Sequence, residues 1–128
     1  MKRLILAAAV LVALTGCAPS APEPVVATFT VVDETYKIEL TTPELIQHAK
    51  DLLAGKDVSA IPNGKVVRDG GGVNTPWSWH IDPATLEFAD QTTEVCDGLP
   101  SYVEDRTVTS DYYCPWSATV VKITGLPD

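Results

Sequence analysis

The densest group of side chains that could do chemistry lies in residues 70–82, GGGVNTPWSWHID. This segment holds three glycines, an asparagine, two of the chain's three tryptophans and one of its two histidines. Three chemistries use such residues. They are phosphate binding by a glycine-rich loop, nucleophilic catalysis by Ser78, His80 and Asp82, and ligand stacking on the tryptophan pair.

The glycines do not belong to a phosphate-binding motif. A P-loop requires Gly-x4-Gly-Lys-Ser/Thr between a strand and a helix, and a Rossmann fingerprint also requires a helix after its glycines. Here no lysine follows the glycines, and the next residues, Trp77–Ile81, have the alternation of a strand. Both motifs are therefore excluded.

A strand at Trp77–Ile81 would also keep the three candidate catalytic groups apart. Ser78, His80 and Asp82 would share its outer face at spacings of about 6.6 Å, whereas a triad needs groups that converge within about 3 Å. The segment also lacks a Gly-x-Ser-x-Gly elbow. We therefore predict a strand with its tryptophans in the core, and a small hydrolase centred on His80 is the alternative.

Metal ligation has little support in the sequence. His48 falls on a predicted helix and His80 on a predicted strand, and neither belongs to a His-x-x-x-His or Glu-x-x-His pattern. The acidic residues between positions 90 and 111 lack the spacing of an EF-hand loop. We predict no metal ion and no cofactor, while the acidic residues leave calcium binding open.

Charge and length limit the classes of partner and fold. The 128 residues carry a formal net charge of −8, and the basic side chains of the mature part are scattered along the chain. Nucleic-acid binding needs a concentrated cationic surface, so no nucleic-acid partner is expected. A chain of this length with 45% hydrophobic residues is typical of one domain.

The first seventeen residues have the pattern of an export signal. Two basic residues precede an apolar run, Leu4–Leu14, which is too short for a helix that spans a bilayer of about 30 Å. The sequence LTGC at the end of this run resembles the bacterial lipobox, in which cleavage leaves a diacylglyceryl-modified cysteine. Residues 1–16 would then be a signal peptide and Cys17 the acylated N-terminus. An ordinary secretory signal is the alternative.

The lipobox interpretation predicts a lipid anchor. Residues 17–25 would be the acylated cysteine and an Ala/Pro-rich tether, and residues 26–128 a single domain. The lipid would hold the domain at the cell membrane or the outer membrane, on the periplasmic or extracellular face.

Cys96 and Cys114 are the two remaining cysteines. In an exported domain such a pair is typical of a disulfide, whereas in the cytosol it could bind a metal ion. We predict a Cys96–Cys114 disulfide, which would close a loop of about nineteen residues and stabilise the fold by on the order of 3 kcal/mol. Trp116 is predicted to pack in the core beside this bridge.

Hydrophobic periodicity predicts an α+β domain with a mostly antiparallel sheet, one main helix on one face and one disulfide. Alternation predicts a β-hairpin in residues 27–42, and a cap at Thr42, Pro43 and an apolar stripe that ends at Gly55 predict the main helix. The other predicted elements are strands at 64–69, 77–81, 85–90, 92–96 and 117–123, a short helix at 101–105 and a loop at 106–113.

Nearly the whole chain after the tether resembles a family of small exported bacterial domains of uncharacterised function. The resemblance covers about residues 27–123 and lies in TFTVVDETYKIELTTPELIQHAKDLLAG, in NTPWSWHIDP followed by FAD and EVCDG, and in YYCPWSATV. Similar domains occur as the N-terminal part of larger proteins. The resemblance implies a disulfide-closed α+β domain and names no ligand.

We predict a non-enzymatic binding module with an envelope protein as its candidate partner. Its predicted partner surface combines the glycine-rich loop with the outer face of the next strand, that is Gly71, Gly72, Asn74, Ser78, His80 and Asp82. Asn74 would fix the loop by side-chain to backbone hydrogen bonds, and His80 would pair with Asp82 or Glu94. A protease inhibitor that presents this loop is a further alternative.

Overall fold

The structure is a computed structural model, and it describes residues 23–127. The predicted signal peptide, residues 1–16, and the predicted lipidation site Cys17 lie outside this range. The predicted tether, residues 17–25, lies partly inside it. The first strand begins at Val25, one residue before the predicted start of the domain.

Within residues 23–127, seven strands form two antiparallel sheets, and the longer of two α-helices packs beside the first sheet. The predicted α+β class, the mostly antiparallel pairing, the one main helix and the disulfide are confirmed. The strands are β1 (Val25–Val31), β2 (Glu34–Leu40), β3 (Ile61–Val67), β4 (His80–Ile81), β5 (Glu87–Ala89), β6 (Tyr112–Tyr113) and β7 (Thr119–Thr124), and the helices are α1 (Pro43–Leu53) and α2 (Pro100–Glu104).

The first sheet has the order β2-β1-β7 and contains the predicted hairpin. β1 and β2 pair from Val25 with Leu40 to Val31 with Glu34, so every second side chain points into the core. α1 begins where predicted, because the Thr42 hydroxyl accepts a hydrogen bond from the Leu45 amide at 3.2 Å. The helix lies against β7 and buries Ala49.

The second sheet is built around β3, which pairs with β4, β5 and β6. β3 begins three residues earlier than predicted because Ile61–Asn63 pair with β5. Two residues of the predicted loop 106–113, Tyr112 and Tyr113, form β6 and pair with Lys65 and Gly64. The loop prediction is therefore wrong at its end, since two residues carry too little periodicity to be recognised as a strand.

Two predicted strands are wrong. Of residues 77–81 only His80 and Ile81 are paired, because the amide of Trp77 donates to the Asn74 carbonyl and that of Ser78 to the Glu104 carboxylate. Residues 92–96 end in a 3-10 turn, Glu94–Cys96. These backbone groups find partners outside a strand ladder, which hydrophobic pattern alone does not reveal.

Four aromatic side chains join the two sheets in one core. Phe29 and Tyr36 come from the hairpin, Tyr113 comes from β6, and Trp79 precedes β4. The Tyr36 ring lies 5.2 Å from that of Tyr113 and 5.9 Å from that of Trp79, measured between centroids. Trp79 is fully buried, so its predicted place in the core is confirmed.

This aromatic core makes the fold sensitive to alkaline pH. Burial, followed by the charge of Tyr113, raises the pKa of Tyr36 well above its ordinary value. Burial also raises the pKa of Tyr113, with smaller contributions from the charges of Asp97 and Glu34. Both side chains therefore keep their protons in the folded chain at a pH where the unfolded chain has lost them.

We therefore expect the free energy of unfolding to fall as pH rises above about 10, where tyrosine in an unfolded chain ionises. Each of the two tyrosines contributes a slope of about 1.4 kcal/mol per pH unit. Urea unfolding at a series of pH values measures this slope, and Tyr113→Phe should lower it by about half the tyrosine contribution. An unchanged slope in that variant would contradict the assignment.

Candidate functional site

Asn74, in the middle of the predicted partner surface, is a structural residue. Its side chain is 1% exposed, its Oδ1 accepts from the Lys37 amide at 2.8 Å, and its Nδ2 donates to the Trp79 carbonyl at 2.9 Å. The predicted side-chain to backbone hydrogen bonds are present, but they hold β2 and Trp79. A side chain this buried cannot contact a partner, so the prediction that Asn74 belongs to the surface is wrong.

The same segment covers the outer edge of the first sheet. β2 is an edge strand, and its Lys37 amide and Thr35 carbonyl point away from β1. Asn74 binds the first group, and the Trp77 ring N–H donates to the second at 2.8 Å. The residues around Asn74 and Trp77 therefore serve in place of a further strand at this edge.

The glycine-rich loop offers little surface of its own. It ends in a 3-10 turn, Gly72–Asn74, whose first amide hydrogen bond runs from Asn74 to the Gly71 carbonyl at 2.8 Å. Gly71 is buried, and a Cβ there would overlap the Trp77 carbonyl oxygen. Gly71 therefore also leaves the predicted surface, whereas Gly72 is exposed.

The three polar residues after the loop are bound to separate partners. The Ser78 hydroxyl donates to Glu104 Oε1 at 2.8 Å, and Asp82 Oδ1 accepts from the Ala84 amide at 3.0 Å. His80 Nδ1 donates to the Gly70 carbonyl at 2.6 Å, so the hypothesis that His80 pairs with Asp82 or Glu94 is wrong. Within residues 23–127 these side chains do not form a hydrogen-bonded triad.

Trp116 is the main residue whose position the sequence interpretation missed. The sequence predicts it in the core, yet it is 45% exposed. Its amide donates to Asp97 Oδ1 at 2.9 Å, and its ring N–H donates to Thr92 Oγ1 at 2.7 Å. The core prediction for Trp116 is therefore wrong, because Cys114 and Pro115 fill the interior and Trp116 follows them onto the surface.

The Cys96–Cys114 disulfide fixes the segments that hold Trp116. Both cysteines are buried, their Cα atoms are 5.0 Å apart, and the Cys114 amide donates to the Cys96 carbonyl at 2.7 Å. The bridge ties the residues from Thr92 to Asp97 to the chain that leads into Trp116. Both hydrogen-bond partners of Trp116 therefore lie next to a covalent cross-link.

Two cavities flank the short segment Gln91–Thr92, which lines both. The Trp116 cleft has a volume of about 270 Å³ and is also lined by Ile61, Asp90 and Trp116. The Tyr112 cleft has a volume of about 520 Å³. Its other lining residues are Asn63, Glu87, Ala89, Thr93, Cys96, Ser110 and Tyr112.

Two kinds of feature are absent from the part of the chain that the structure describes. No group of three or more His, Cys, Asp or Glu residues between positions 23 and 127 is placed to hold a metal ion. In the same residues no helix has the length and apolar character needed to cross a bilayer.

Comparison with known proteins gives a family without giving an activity. The family model described as the BP-74 N-terminal domain matches residues 23–127, which includes both sheets, the disulfide and the two clefts. Neither the curated proteins nor the solved structures contain a match to the chain. Because the family model covers most of the sequence, the chain belongs to the BP-74 N-terminal domain family.

Proposed function

We propose that the chain is a membrane-anchored envelope lipoprotein whose folded domain is a small non-enzymatic binding module, and that the Trp116 cleft is its binding surface. The observation that carries this proposal is the exposed Trp116 ring, held by hydrogen bonds to Asp97 and Thr92 beside a cavity. The anchor rests on the LTGC sequence that ends at Cys17.

An exposed and immobilised tryptophan is well suited to binding. Tryptophan buries a large area when it is covered, and it is among the residues most enriched in binding hot spots. Because the Trp116 amide and ring N–H already have partners, little side-chain freedom is lost when a ligand covers the ring. The adjacent cavity supplies the concave surface that such a contact needs.

Tyr102 provides a matched control for Trp116. It is 43% exposed, close to the exposure of Trp116, but it lies on α2 and does not line the Trp116 cleft. Replacement of either aromatic by alanine removes a comparable exposed ring. Only the Trp116 replacement should affect a ligand in the cleft.

The test compares capture from an envelope extract by immobilised wild-type chain, Trp116→Ala and Tyr102→Ala. We expect a protein retained by wild type and Tyr102→Ala, and at least tenfold less of it on Trp116→Ala, since removal of a hot-spot tryptophan commonly costs about 2 kcal/mol or more. Thermal unfolding of the three chains checks that each is folded. Equal retention by Trp116→Ala would move the surface elsewhere, and no retained protein on any chain would contradict the binding-module proposal.

A further inference from the structure

We infer that the Trp116 cleft and the Tyr112 cleft are two adjoining subsites for positively charged side chains, and that the occupant is a peptide segment with two neighbouring arginines or lysines. This inference rests on the proposed function and extends it to the chemical class of the ligand. Four side chains carry it. They are Asp90 and Trp116 in one cleft, and Glu87 and Tyr112 in the other.

The two clefts repeat the same pair of chemical groups. Each cleft is lined by one exposed aromatic ring and one carboxylate, and they share the wall Gln91–Thr92. Among the described residues, no lysine, arginine or histidine lines either cleft. An aromatic face attracts a cation through its quadrupole, and arginine also stacks on such a face, while a nearby carboxylate neutralises the charge.

Both aromatic rings are held in place from behind. The ring N–H of Trp116 donates to Thr92 Oγ1, so the indole orientation is fixed while 45% of the side chain remains exposed. Tyr112 is 43% exposed, belongs to β6, and its amide donates to Ser110 Oγ at 3.2 Å. The faces available to a cation are thus present before it arrives.

The two carboxylates have no role inside the described fold. Among residues 23–127, neither the Glu87 nor the Asp90 side chain forms an ion pair or a hydrogen bond. By contrast, Glu34 binds Ser101 and Glu104 binds Ser78, so those carboxylates are already occupied. Glu87 and Asp90 are therefore free to accept hydrogen bonds from a guanidinium or ammonium group.

The spacing of the carboxylates suits one extended segment. Glu87 begins β5 and Asp90 follows its last residue, so Asp90 lies three positions further on, or about 10 Å along an extended chain. Arginines at alternate positions of an extended peptide lie about 7 Å apart at their Cα atoms, and their long side chains reach across the remaining distance. The chain's net charge of −8 would also steer such a cationic segment towards the domain.

The experiment is a titration of the full chain with three synthetic peptides, followed by calorimetry. The first is acetyl-Ala-Arg-Ala-Arg-Ala-amide, the second has one arginine replaced by alanine, and the third has both replaced by the neutral isostere citrulline. We expect the two-arginine peptide to bind at least tenfold more tightly than the one-arginine peptide, and the citrulline peptide to show no measurable binding. The affinity should fall as salt is raised.

Glu87→Gln and Asp90→Asn test the two subsites separately. Each should bring the affinity for the two-arginine peptide down to that of the one-arginine peptide on the wild-type chain. Asp69→Asn removes an exposed carboxylate that lines neither cleft, and it should leave the affinity unchanged. Equal binding of the one-arginine and two-arginine peptides would overturn the paired subsites.

The outcomes also separate this inference from the proposed function. If no peptide binds while wild type still retains a protein that Trp116→Ala loses, the cation chemistry is wrong and the binding module stands. Equal binding of the citrulline peptide would likewise overturn the role of charge. If the peptides bind but Trp116→Ala retains them with full affinity, the site is elsewhere and both proposals fail.

Discussion

Asn74→Ala is expected to lower the free energy of unfolding by about 3 kcal/mol, and the melting temperature by roughly 10–20 °C. The substitution removes the partners of the Lys37 amide and the Trp79 carbonyl, both paired only through this side chain among the hydrogen bonds described above. A buried group left without its partner costs about 1–3 kcal/mol. Urea unfolding followed by circular dichroism measures the change.

Ser78→Ala is the matched control, because Ser78 lies four residues away and is also hydrogen-bonded through its side chain. Its hydroxyl bond to Glu104 is exposed, so the loss should be under about 1 kcal/mol. If Asn74→Ala were instead as stable as Ser78→Ala but lost the captured envelope protein, Asn74 would belong to the partner surface after all.

Replacement of both Cys96 and Cys114 by alanine is expected to lower the free energy of unfolding by about 3 kcal/mol. The cysteines are 18 positions apart, and without the bridge the unfolded chain regains the freedom of that loop. The same double variant should bind the two-arginine peptide less tightly. Thr92 and Asp97, which orient Trp116, then lose the cross-link that holds their segment.

The wild-type chain under a reducing agent should reproduce both effects, whereas reductant should not change the double alanine variant. Urea unfolding measures stability, and calorimetry at a temperature where all chains are folded measures binding. Unchanged peptide affinity in the double variant would show that the hydrogen bonds of Trp116 suffice without the bridge. An unchanged free energy of unfolding would contradict the structural role of the disulfide.

The elements that were predictable from the sequence are those whose signals lie within one segment. The hairpin follows from alternation around Asp33-Glu34, and α1 follows from Thr42, Pro43 and an apolar stripe. The cysteine pair, taken with the export signal, predicts the disulfide. In each case the responsible interactions join residues that are near in sequence or the only available pair.

The roles of Asn74 and Trp77 could not be predicted because their partners are far away along the chain. Asn74 binds Lys37 across 37 positions, and Trp77 binds Thr35 across 42. In the sequence, an asparagine beside glycines is typical of a local turn. Only the approach of this segment to β2 shows that both side chains complete a sheet edge.

The two clefts could not be predicted for a similar reason. They form where β5, β6 and the segment after Cys114 meet, and β6 is only two residues long. A sequence signal for Trp116 did exist. Pro115 follows a disulfide cysteine and is itself buried, so the next side chain had little interior space left to occupy.

The covering of β2 also bears on self-association. An uncovered edge strand can pair with the same strand of another molecule, and such pairing is the first step towards aggregation. The Asn74 amide and the Trp77 indole occupy the Lys37 and Thr35 backbone groups that a second copy would need. A lipid-anchored protein is concentrated in two dimensions, so these two side chains would keep crowded copies separate on the membrane.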